Sequence, residues 1–163
     1  GDNNTHQLIV YAGAFSPNRK FAIESLKRET FGSVVERSLS DVVTPDLEVT
    51  RQNIDRFVEE MDKEQALLIC TDAEQLCGVY VGYTYSSVKY ATPQEKYFLK
   101  RIQELPCSVL IVLKDEKHLD KTLERKAHTV VRFPSPTSFF EKLVWNIQKV
   151  RLNGANLASQ RPV

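Results

Sequence analysis

The stretch Leu8-Ile-Val-Tyr-Ala-Gly-Ala-Phe-Ser-Pro-Asn-Arg-Lys20 opens as a buried strand, bends at a glycine and runs into a helix. The apolar run Leu8 to Tyr11, with β-branched and aromatic members, is too short for a helix and reads as a strand. From Asn18 to Phe31 the residues Phe21, Ala22, Leu26 and Glu29 form a helical stripe that ends at Gly32, a natural stop. A strand, a glycine turn and a helix with basic residues in its first turn is how many α/β proteins begin a phosphate site. The turn therefore raises a question: does it cradle a nucleotide, or only join two pieces of scaffold?

The same alternation continues along the chain. Ser33 to Arg37 is a second, more polar strand. Asp46 can cap a helix whose Ile54, Phe57, Val58 and Met61 share one face. Ala66 to Cys70 and Ser108 to Leu113 are apolar at nearly every position, the pattern of strands buried on both faces of a parallel sheet. Between them, Pro93 to Leu105 reads as a helix with Phe98, Ile102 and Leu105 on one side. Residues 72–91 stay open, because Gly78 to Tyr85 fits a strand or an irregular loop. Glu116 to Arg125 predicts a short helix, Thr129 to Phe133 a fifth strand, and Pro136 to Val150 an amphipathic last helix capped by Ser135 or by a Ser138–Glu141 box. Five strands alternating with helices predict one flavodoxin-like α/β domain, a parallel sheet of order 2-1-3-4-5 with helices on both faces. In that order the ligand crevice lies beyond strands one and three, where the opening turn and Thr71 to Gln75 meet.

The residues of that crevice argue against the usual ligands. A Walker loop needs Gly-x-x-x-x-Gly-Lys-Ser/Thr, whereas this turn has Gly13 alone and Pro17 removes a backbone donor. A dinucleotide fingerprint needs three glycines. A metal-dependent phosphoacceptor needs carboxylates after the first strand, and Ala12 to Ser16 offers none. The histidines His6, His118 and His128 stand beside no evident nucleophile. Tyr80, Tyr83, Tyr85 and Tyr90 could stack a base, or pack with their hydroxyls in water. The turn reads as scaffold, with Arg19 and Lys20 solvated.

The 163 residues carry 22 basic and 21 acidic side chains, a net charge of +1 that offers no general basic field for nucleic acid. No apolar run reaches the roughly 18–20 residues that span a bilayer, and no signal peptide is visible. Cys70, Cys77 and Cys107 read as buried free thiols of a reducing, cytoplasmic compartment, and no metal site follows from their spacing. Residues 1–6 read as a frayed terminus, 7–150 as the domain and 151–163 as a flexible tail. Both ends look like cuts from a longer protein.

Three stretches together resemble the Toll/interleukin-1 receptor (TIR) family: Gln7 to Ser16 at the first box, Ser40-Asp-Val-Val-Thr-Pro-Asp46 before helix two, and Ser138-Phe-Phe-Glu-Lys-Leu143 on the last helix. The match is degenerate. Serine stands for arginine, an extra residue separates Asp41 from Pro45, Asp46 stands for glycine, and the Trp-Cys-x-x-Glu stretch is missing. The related SEFIR group and divergent adaptor-type TIR-like domains show similar drift. The resemblance implies homotypic or heterotypic association in intracellular signalling of the innate-immune kind, through Asp41, Val42, Val43, Thr44, Pro45 and Asp46. One or both valines could instead extend strand two or fold under the helix. It also brings an alternative, an NAD-cleaving enzyme, for which Glu95 and Glu74 are the nearest carboxylates and neither lies in a matching motif. A third reading is a nucleotide or small-ligand sensor without catalysis. The preferred reading has no cofactor and no catalytic residue.

Overall fold

A computed structural model describes residues 6–61, 64–79 and 91–135. The expected last helix, the Ser138–Leu143 stretch, the tyrosine cluster and the tail lie outside the described residues. Strands β1 (Leu8–Ala12), β2 (Val34–Ser38), β3 (Leu67–Thr71), β4 (Ser108–Leu113) and β5 (Thr129–Arg132) form a five-stranded sheet. Helices α1 (Ser16–Glu29), α2 (Leu47–Glu59), α3 (Pro93–Ile102) and α4 (Lys121–Lys126) alternate with them. All strand pairs are parallel.

The local signals explain the boundaries. Pro17 lies in the first turn of α1. Asp46 caps α2 by accepting from the Glu48 and Val49 amides at 2.9 and 3.1 Å. Thr92 caps α3 with Pro93 behind it. The helix expected over Glu116 to Arg125 is divided. A single turn of 3-10 helix spans Glu116–His118, and α4 starts afresh because Asp120 accepts from the Leu123 amide at 2.8 Å.

The strand order is β2-β3-β4-β1-β5, not the expected 2-1-3-4-5. The flavodoxin-like arrangement is thereby corrected: β1 is flanked by β4 and β5, with Val10 opposite Ile111 on one side and Val130 on the other. The crossover through α1 passes over two strands to reach β2, and the one through α4 passes over β1. Apolar content does place β3 and β4 inside the sheet, where nearly every residue is buried, and leaves the polar β2 and β5 at the edges.

Two cores follow from the alternation of side chains across the strands. On one face α1 alone among the described helices supplies Ile23 and Leu26 against Leu67, Ile69, Leu110 and Val112. On the other, Ile54, Phe57 and Val58 of α2, Phe98, Leu99 and Ile102 of α3 and Leu123 of α4 cover Leu68, Val109 and Ile111. Phe57 and Phe98 meet with ring centroids 6.1 Å apart. The three cysteines are free and buried. No described helix is long and apolar enough to cross a membrane.

Phe98 is fully buried at the seam of α2, α3 and the sheet. Phe98→Ala should lower the unfolding free energy by about 3–5 kcal/mol, read from urea denaturation. A loss under about 1 kcal/mol would mean that this seam is loosely packed.

Candidate functional site

In an open parallel sheet a ligand crevice opens where neighbouring strands send their connections in opposite directions. Here those strands are β1, whose chain leaves toward β2, and β4, whose chain leaves toward β5. The turn after β1 lies in that crevice, and three of the amides at the turn and the start of α1 are already bonded to carbonyls. The Gly13 amide donates to the Leu113 carbonyl at 3.0 Å, Phe15 to Phe133 at 3.3 Å, and Arg19 to Phe15 at 3.2 Å. Gly13 has φ +151°, and a Cβ there would meet the Phe133 carbonyl oxygen at 2.1 Å. The glycine serves close approach to the neighbouring chain.

Arg19 corrects the expectation of a solvated side chain. Only 8% of it is exposed, and its guanidinium donates to the Gly13 carbonyl. Counted from Gly13, a Walker pattern would put its second glycine at Asn18, its lysine at Arg19 and its hydroxyl at Lys20. The cation at the lysine position thus turns back under its own loop. That register was the signal available in the sequence. Lys20 is exposed, as expected.

Beyond β3, Asp72 takes the left-handed conformation, with φ 54°. Its carboxylate accepts from Ser38 Oγ at 2.5 Å and pairs with Lys114 Nζ at 3.4 Å. The Ser38 hydroxyl first and Lys114 second hold its carboxyl below the usual range, partly offset by burial. Thr71 donates to the Arg37 carbonyl at 3.4 Å. The polar groups of this rim thus tie β2, β3 and the loop after β4 together.

Glu95, the candidate carboxylate of the sequence reading, is 0% exposed in the first turn of α3. Its Oε1 and Asp120 Oδ2 both accept from the Gly78 amide, at 3.1 and 3.3 Å. Burial first, and the Asp120 carboxyl second, push Glu95 up to about 9, against a smaller opposing effect of the Gly78 amide. Glu95 is therefore a neutral acid at pH 7. The same two acids, after burial itself, push the Cys77 thiol up, so this cysteine is no ready nucleophile. Gly78 has φ +81°, and a Cβ there would meet His118 Cα at 2.5 Å. The buried acids thus join the starts of α3 and α4 to the loop after β3. Glu74, half-buried near Cys77, keeps one carboxylate oxygen buried without a hydrogen-bond partner.

The stretch from Asp41 to Asp46 is only partly surface. Val42 is 6% exposed within the core and Val43 packs half-buried against it. Thr44 is held by Thr50, whose hydroxyl accepts from the Thr44 amide at 2.9 Å, and Asp46 is spent on the α2 cap. Asp41 and Pro45 are exposed. The exposed apolar side chains of this region lie just beyond, Leu47 at 61% and Val49 at 40%. Among the described residues no group of three His, Cys, Asp or Glu side chains could hold a metal ion.

No known family and no curated protein matches the sequence. The backbone matches 213 solved chains. A chain of the E. coli MS115-1 HORMA:CdnC:Trip13 complex superposes with a TM-score of 0.55, over 93% of this chain and 56% of that one, at 19% identity. At that identity the likeness shows a shared fold, and this chain spans little more than half of its neighbour. The TIR resemblance is overturned by these findings: β1 does not lie between β2 and β3, and the similar solved chain comes from a HORMA:CdnC:Trip13 complex. The TIR-type partners and innate-immune role it implied fall with it.

Because the folded pKa of Glu95, about 9, exceeds its ordinary value of 4.5, the folded state binds the extra proton between these pH values. Stability from this group is complete below the lower value and is lost as pH rises through the upper one. Glu95→Gln keeps an acceptor for the Gly78 amide and removes the titration. Its unfolding free energy should fall less steeply than wild type between pH 5 and 9 in urea denaturation at stepped pH. An unchanged slope would show that Glu95 is ionised in the folded protein.

Proposed function

We propose that the chain is a protein-contact module built on the frame of a phosphate-loop α/β domain, and that its crevice does no chemistry. The observation that carries this reading is Arg19, buried and bonded to Gly13 where a phosphate-loop lysine would reach outward. Two further features agree with it. The amides of Gly13, Phe15 and Arg19 donate to carbonyls, so they form no open nest for an anion. Asp72, at the strand end where nucleotide hydrolases keep a magnesium-holding aspartate, is committed to Ser38 and Lys114.

The similar solved chain comes from a complex of three named proteins. Carried to this chain, that likeness supports a place in an assembly, as a signalling or scaffold component in the cytoplasm. The buried acid at Glu95 acts here as a structural joint, which favours this reading over NAD cleavage.

Amide NMR spectra during titration with ATP–Mg²⁺ and with NAD test the proposal. The expected result is no shift at Gly13, Arg19, Thr71 or Asp72, and no stabilisation. Shifts centred on those amides, or a gain approaching the roughly 2.7 kcal/mol of a ligand at 100 times its dissociation constant, would make the crevice a nucleotide site.

A further inference from the structure

Along the outer side of α2 and α3 runs a groove of about 440 Å³, within the range of roughly 300–1,000 Å³ usual for ligand sites. Its apolar surface comes from Leu47 on α2 and from Pro93 and Tyr97 on α3. Three cations edge it, Arg51, Lys96 and Lys100, against the single carboxylate of Glu48. Lys96 and Lys100 stand one helical turn apart and are exposed. Neither has a carboxylate partner among the described residues, whereas the nearby Arg101 is paired with Asp55 and Glu104.

Tyr97 is fixed in place. Its hydroxyl donates to Asp55 and the Arg51 guanidinium lies 4.5 Å from its ring centroid. One ring face is therefore covered by a cation, which argues against a nucleobase stacked there. The groove instead offers an exposed leucine beside a rigid aromatic, with excess positive charge around them. The matching chemistry is an apolar side chain flanked by carboxylates.

We propose that the groove between α2 and α3 takes an acidic segment of a partner protein, its apolar side chain against Leu47 and Tyr97 and its carboxylates on Lys96 and Lys100. This rests on the reading of the chain as a protein-contact module and supplies the chemistry of the partner. It also moves the contact surface from Val42 and Val43, which the core absorbs, to the adjoining face of α2.

Random short peptides displayed on phage, panned against the purified chain, provide the probe. A selected peptide is then synthesised with a fluorescein label for anisotropy titration. The enriched peptides should carry Asp or Glu beside Leu, Ile or Phe. Lys96→Glu with Lys100→Glu, and separately Leu47→Asp, should each weaken binding about tenfold or more, with the unfolding midpoint unchanged. Peptides without acidic residues, or binding indifferent to both variants, would overturn the groove while leaving a contact surface elsewhere. A labelled single-stranded oligonucleotide that binds and is lost in the same variants would overturn it in favour of nucleic acid. The nucleotide titration reads other residues, so the two proposals fail separately.

Discussion

The hydrogen bonding of β1 on both sides, to β4 and to β5, is the constraint on which the rest of the structure depends. It brings the chain leaving β1 against the ends of two other strands, so that the following turn is bonded to Leu113 and Phe133. Only a residue without a Cβ fits that approach, and Gly13 supplies it. With those amides engaged and Arg19 folded beneath, the turn has the position of an anion site and fewer donors left for one. Among the described helices, the same pairing sends α1 to one face and leaves α2, α3 and α4 to share the other.

On that shared face the design is held by polar as well as apolar contacts. Glu95 and Asp120 converge on one amide, that of Gly78, and so join three segments distant in sequence. Two buried carboxyls side by side cannot both ionise at low cost, which is why one keeps its proton. On the outside, α2 and α3 are tied by Asp55 to Tyr97 and Arg101. These ties make the groove between the helices a preformed surface, whose ordering cost is met during folding and not on binding.

The elements were legible because each carries its own signal: apolar runs at Ala66–Cys70 and Ser108–Leu113, a cap at Asp46, a proline at the helix start at Pro93, the stop at Gly32. The order of the strands was not. Orders 2-1-3-4-5 and 2-3-4-1-5 share the same polar edges and differ only in where β1 sits among three apolar interior strands, so hydrophobic patterning costs the same in either. The TIR resemblance rested on three degenerate stretches, which do not decide the strand order either. Arg19 escaped because a basic residue in the first turn of a helix is ordinarily solvated, and its burial depends on the tertiary position of Gly13. Val42 stayed open between two readings, because two valines before a proline look the same whether they face water or Leu39 and Ile54, and its burial settles it. Glu95 was picked out as a carboxylate near the missing TIR motif, but its partner Asp120 lies far along the chain, and no spacing in the sequence joins them.

Inter-strand nuclear Overhauser effects in a methyl-labelled sample test the placement of β1 between β4 and β5. This placement requires contacts from Val10 to Ile111 and from Val10 to Val130, its partners on either side. Contacts from Val10 to Val35 and Ile69 in their place would put β1 between β2 and β3 and contradict it.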